Sequence, residues 1–332
     1  MSQASHPFPP LRFHPIFRSY LWGGRNLESE LKKQLPQEGI WAESWEIVDH
    51  PQAQSIVVDG PWTQWSLGEL VNQHRYSILG PSANHPSRFP LLLKYLDCQN
   101  VLSVQVHPDD AYGATLPSPD LGKTEAWVIL AANPGAKLYA GLKPGVTKSS
   151  LRDAIAKGTT ESCLHVIEPQ PGDCIFIPAG TVHALGAGLL VAEIQQASDC
   201  TFRLYDWNRV DQEGNPRPLH VDQALDVIDF NRGPITPVTP KNQDPANSAL
   251  ETLVRCEKFT LQRYSSAKTI QLPTNTFHIL TVPKGSGHVD STAGSLHLAT
   301  GQSALIPYAC PNPTLTLAPN SFALLASCNP MT

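Results

Sequence analysis

Proline and glycine confine this chain to short elements. It contains 31 prolines and 22 glycines, spread along its whole length. Proline fixes φ and removes a backbone donor, and glycine accepts turn conformations that other residues resist. The apolar runs between such residues suit short strands joined by turns, the pattern of a β-sandwich or barrel. SWEIVDH, QSIVVDG and PLLLKYLD read as strands, and EAWVILAANPGAKLYAGL reads as two strands around an Asn-Pro-Gly turn. Three segments read instead as helices. SLGELVNQHRYSILG follows a serine cap and stops at Gly80. TKSSLRDAIAKG places Leu151, Ala154 and Ile155 on one face and stops at Gly158, and HVDQALDVIDF follows the second block of strands. Residues 111–122 read as a polar, Pro-containing loop.

A length of 332 residues points to more than one domain. Residues 231–249 are rich in Pro and Asn and poor in apolar residues. The expected division is a domain over 1–235 with N-terminal strands and short helices, a linker over 236–249, and a β domain over 250–332. A net charge of -5 argues against a general nucleic-acid partner. No apolar run approaches the roughly 20 residues that span a bilayer. The N-terminus lacks the basic-then-apolar order of a secretory signal. The 7 cysteines are odd in number and form no CxxC pair. They read as reduced thiols of a cytoplasmic protein.

Metal-ligand residue types recur with strand spacing. Gln105 and His107 in LSVQVHPDD are two apart, so in a strand both face one side, with Ser103 beside them. Lys123 and Glu125 in GKTEAW repeat the spacing, and His183 follows in PGDCIFIPAGTVHA. A neutral amide, two imidazoles and a carboxylate suit zinc or another first-row divalent ion better than calcium. By residue type alone, Gln105 is equally a strand residue with a hydrogen-bonded amide. Glu125 could equally pair with Lys123. TGQSALIPYA, near residue 301, echoes PGDCIFIPAG near residue 172 but lacks any histidine matching His183. The echo reads either as two turns of similar shape or as a duplicated barrel.

Gly172, Pro178, Gly180 and His183 fit the second cupin signature, G-x5-P-x-G-x2-H, and Gln105-x-His107 resembles an altered first signature. In chain order, WGG at Trp22–Gly24, ESWE at Glu43–Glu46, PLLLKYLD, LSVQVHPDD, GKTEAW, PAGTVHALGAG and AEIQQASDCTFRLYDWNR resemble segments of the type I phosphomannose isomerases. RLYDWNR is similar to their short bacterial form. The resemblance implies a mainly β fold with a few helices and two cupin-like jelly-roll barrels, the first metal-binding and the second without the metal site. It implies that Gln105, His107, Glu125 and His183 bind one zinc ion per chain. It places Lys123, Glu193 and Arg203 in the active site, and gives Lys94 and Ser103 to a substrate phosphate. The implied reaction interconverts mannose 6-phosphate and fructose 6-phosphate by proton transfer through a cis-enediol. The implied partner is a small sugar phosphate, with no nucleic acid and no membrane, on a monomer or homodimer. Other readings stay open at this point. Arg203 could be a structural ion pair with Asp199 or Asp206, and Lys94 could snorkel to the surface. The whole could be a non-catalytic sugar-phosphate-binding cupin or another metal-dependent cupin enzyme.

Overall fold

A computed structural model describes residues 7–81, 87–210, 213–239, 241–242, 249–265 and 267–328. The architecture is mainly β, with several antiparallel sheets and a few short helices. The chain clusters into two compact units. One gathers the residues up to Arg18, Arg25–Tyr95 and those from Thr239 onward; the other holds Ser19–Gly24 and Leu96–Val238. The break at Val238–Thr239 falls inside the segment read as a linker. Residue 240 and residues 243–248 of that segment lie outside the described residues. This division differs from the compositional one: the residues up to Arg18 and Arg25–Tyr95 group with the C-terminal strands. Backbone pairing gives part of the reason, because Leu11 and Arg12 form a ladder with Leu305 and Ala304. Among the described residues, no helix is long and apolar enough to cross a membrane.

In the Leu96–Val238 unit, one sheet has five strands in the order Leu164–Ile167, Leu138–Leu142, His183–Leu185, Val104–Val106, Phe202–Tyr205. Its two faces differ because side chains alternate along each strand. Val104, Val106, Ala184, Phe202 and Leu204 enter a core packed with Leu151, Ala154, Ala224 and Leu225. These last four come from the helices Lys148–Ala156 and Val221–Val227, the second and third expected from sequence. Gln105, His183 and Arg203 therefore take the opposite face. Facing it are three further strands, with Glu125–Ala132 flanked by Cys174–Ile177 and Leu189–Gln196. The loop expected over 111–122 begins as a short helix, Asp110–Gly113, because the Asp109 side chain accepts from Tyr112 N–H and caps it.

The other unit contains a seven-stranded sheet and a four-stranded sheet around an apolar core that includes Leu280, Val282, Ile306 and Leu325. Its helix Leu67–Leu79 starts at Ser66 with a reciprocal capping box to Glu69, as the serine cap foretold. The sequence echo is a structural one. Gly172 donates to Ile129 O at 2.8 Å and Ile129 N–H donates to Asp173 O at 2.9 Å; Gly301 and Val282 repeat this at 2.7 and 3.0 Å, the second bond to Gln302 O. Both glycines have positive φ, +96° and +78°, which the turn requires. The registers then correspond: Ile177 faces Glu125, and Ile306 faces His278. Glu193 faces Trp127, and Leu325 faces Leu280.

A buried ion pair pins this second unit. Lys33 Nζ donates to Glu46 Oε1 and to Gly301 O, both at 2.6 Å. Ser44 Oγ reaches Glu46 Oε1 at 2.5 Å and Ser303 Oγ reaches Glu46 Oε2 at 3.2 Å. The ammonium also lies 5.1 Å from the Tyr95 ring centre. Breaking such a pair from one side leaves an uncompensated buried charge. K33M is expected to destabilise the fold by about 3–5 kcal/mol, and adding E46L to it to recover most of that loss. Urea unfolding midpoints of the single and double variants check this.

Candidate metal centre and active site

Three sheet registers assemble the site. His183 and Arg203 each stand directly opposite Gln105, one on either side, so the three side chains form a row across neighbouring strands. His107, two residues along from Gln105, joins the same face. On the facing strands Gln195 is opposite Glu125 and Glu193 is opposite Trp127. The ligand atoms of His107, Glu125 and His183 all lie within 4.8 Å of one another, and all three residues are buried. Glu125 Oε1 is 3.3 Å from His107 Nε2, and Glu125 Oε2 is 3.7 Å from His183 Nε2.

Both imidazoles are aimed by the backbone. His107 Nδ1 lies 2.9 Å from Cys200 O, and His183 Nδ1 lies 2.9 Å from Thr181 O. A carbonyl accepts, so Nδ1 carries the proton and Nε2 keeps its lone pair for the centre of the cluster. Burial, followed by the neighbouring Lys123 charge, lowers the His107 pKa to about 3, so the ring is neutral and ligand-competent at neutral pH. Burial alone would raise the Glu125 carboxyl. The Lys123 ammonium opposes this and holds it well below the usual carboxylate range.

Lys123 Nζ is 2.5 Å from Glu125 Oε1 and 3.1 Å from His107 Nε2. The pairing of Lys123 with Glu125 is thus real, and it takes place inside the ligand cluster rather than instead of it. Glu125 Oε2 is buried and makes no hydrogen bond. Such an atom costs about 1–3 kcal/mol or more unless something meets it. A cation bound by two Nε2 lone pairs and a carboxylate would meet it, so the residues fit a metal ion. Gln105 is beside them, its Nε2 3.3 Å from His183 Nε2. A half-turn of the amide exchanges nitrogen for oxygen and would offer Oε1 as a fourth donor.

The other residues singled out from sequence distribute as follows. Glu193 is buried in mid-strand and accepts from Trp127 Nε1 at 3.2 Å. The Trp127 ring lies edge-on to His183, with centroids 5.3 Å apart. Arg203 donates to Ser103 Oγ at 3.4 Å and to Pro218 O at 2.9 Å. Its reading as an ion pair with Asp206 gives way to another arrangement, since Asp206 takes Arg209 and Arg217. Lys94 belongs to the other unit. It is buried rather than snorkelling, with Nζ 3.8 Å from Glu43 Oε2 and 5.9 Å from the Trp45 ring centre. Sequence reasoning passed over Trp127 and Gln195. Trp127 was within reach as the residue two along from Glu125; Gln195 depends on a register that the sequence does not display.

Residues 11–133 match the family model described as phosphomannose isomerase type I, catalytic domain. Mannose-6-phosphate isomerase ManA of Bacillus subtilis is 34% identical over 305 residues, covering 90% of this chain and 93% of the relative. The chain belongs to the type I phosphomannose isomerases. The mannose-6-phosphate isomerase of Streptococcus mutans is likewise 34% identical, over 304 residues, covering 90% of this chain and 92% of the relative. The crystal structure of the Bacillus subtilis mannose 6-phosphate isomerase superposes with a TM-score of 0.86 at 30% identity, covering 96% of this chain and 99% of that one. The matched family segment includes Gln105, His107, Lys123 and Glu125. His183, Glu193 and Arg203 come from strands beyond that segment.

Asp206 gives the unit a pH-dependent anchor. Burial would raise its carboxyl, but hydrogen bonds and charge from Arg217 and Arg209 outweigh burial and hold it below its ordinary value. A folded pKa below the unfolded value of about 3.9 means that the unfolded chain takes the proton first as pH falls. The stabilisation is complete above that value and is lost below it. D206N is expected to lower Tm at neutral pH and to show a shallower further fall between about pH 5 and about pH 3 than the parent protein. Thermal melts across that range check both parts.

Proposed function

We propose that the chain is a zinc-dependent aldose–ketose isomerase interconverting mannose 6-phosphate and fructose 6-phosphate. The observation that carries this is the buried His107–Glu125–His183 cluster, with Lys123 among its atoms, in a chain of this family. Gln105, His107, Glu125 and His183 would hold the zinc. When bound, zinc supplies a Lewis acid that draws charge from the sugar oxygens. Glu193 is the proposed general acid–base. Held by Trp127 N–H on a buried face, it moves a proton between C1 and C2 on one side of a cis-enediol. Lys123 and Arg203 place positive charge where oxygen anions develop. Ser103 takes the phosphate, and that remote handle fixes the sugar's orientation.

The same proposal gives the chain two jelly-roll barrels, a catalytic part over 1–235, a linker over 236–249 and a buttressing part over 250–332. The paired turns at Gly172 and Gly301 support the duplication. At the positions equivalent to Glu125, Trp127 and Glu193, the second copy has His278, Leu280 and Leu325. His278 is buried, its Nε2 2.8 Å from Pro273 O. An apolar core has taken the place of the polar one. Cys98, Cys163, Cys174, Cys200, Cys256, Cys310 and Cys328 form no disulfide among the described residues, which supports a reducing, cytoplasmic setting.

A coupled assay for fructose 6-phosphate, run on stripped and zinc-reloaded protein, tests the reading. Turnover is expected to vanish with chelator and to return with zinc. H183A and E125Q are expected to lose bound metal and activity together. E193Q is expected to keep its metal and lose roughly 10²–10⁴-fold in kcat. Protein that turns over in no metal state would refute the isomerase and favour a binding protein.

A further inference from the structure

The strands Ser286–Ser291 and Gly294–Ala299 form a hairpin whose turn is Thr292-Ala293. His288 and His297 stand directly opposite each other on it. Opposed residues share a face, with Cβ atoms roughly 5 Å apart. Their chain neighbours Val289 and Leu298 take the other face and enter the core. Both histidines are exposed.

The two rings have centroids 5.0 Å apart and planes inclined at 60°. In the buried cluster, the rings of His107 and His183 have centroids 4.8 Å apart and planes at 50°. The surface pair therefore matches the imidazoles around Glu125 in centroid separation, and its planes are inclined at a similar angle. Thr316, opposite His288 on the next strand, is small and uncharged, and Asp290 lies two residues along the same face. No cation stands at these cross-strand positions to repel a metal ion.

We propose that His288 and His297 form a second metal site, open to solvent, for an imidazole-preferring first-row dication. The two nitrogens are set by the hairpin, and water completes the coordination. Affinity should follow the general order for divalent ions, with Cu²⁺ above Ni²⁺ and Zn²⁺. An ion held there links neighbouring strands in the folded state and not in the unfolded one, so it stabilises the unit by mass action.

The test compares the parent protein with H288A/H297A, each carrying whatever its buried cluster retains on purification. One equivalent of Cu²⁺ is added and read by electron paramagnetic resonance and by titration calorimetry. The parent is expected to bind copper roughly tenfold or more tightly than the double variant, with hyperfine splitting from two nitrogens. Ni²⁺ is expected to raise the Tm of the parent and not of the variant. H288A and H297A singly should each lose the two-nitrogen signal. Because both side chains are exposed, metal-free melts of all variants should coincide with the parent, and isomerase activity should not differ. Equal copper affinity in parent and double variant, or a spectrum unchanged by the substitutions, would overturn the proposal and leave a ring–ring contact without a ligand.

Discussion

Glu125 is a carboxylate sealed from water, and much of the Leu96–Val238 unit is arranged to make that tolerable. A charge in such a place costs several kcal/mol unless partners surround it. One oxygen meets Lys123 and His107; the other is aimed at His183 with no hydrogen bond of its own. The partners are themselves constrained. Each imidazole is turned by a backbone carbonyl, so its orientation is fixed by the sheet and not by the contents of the cluster. The site is preorganised around a negative charge and two lone pairs, which is a description of a metal-binding environment as much as of a fold.

The two-residue period of the strands connects the core to the chemistry. Val104 and Val106 anchor their strand in the core beneath two helices, and the intervening Gln105 is thereby turned inward. Any slip of one residue would exchange those roles. The packing of apolar side chains on one face therefore sets the geometry of the polar ones on the other. In the other unit, Leu280 and Leu325 stand at the register positions that correspond to Trp127 and Glu193, and both enter an apolar core.

Local signals in the sequence were reliable where they rested on chemistry within a few residues. The Ser66 cap, the Thr147 helix, the Asn-Pro-Gly turn and the spacing of Gln105 and His107 all act over such distances. The candidates His107, Glu125 and His183 were legible because their motifs are short, and the structure brings the three together. What the sequence concealed were pairings between remote strands. Glu193 opposite Trp127 depends on a register with a bulge between Leu190 and Val191. Asp206 chose Arg209 and Arg217 over Arg203 through loop geometry that spacing does not encode. Lys33 finds Gly301 O across 268 positions of chain, and no window of sequence contains both.

Gln105 and His183 meet across 78 positions, with Glu125 lying between them in the chain. A local collapse cannot bring these donors together. Closing such loops costs entropy that is recovered only when the strands have paired. The donor cluster is therefore a product of completed topology, and an ion arriving earlier would find scattered side chains rather than a site. Once in place, it would bridge strands that are remote in the chain, and its departure would be governed by the opening of the sheets.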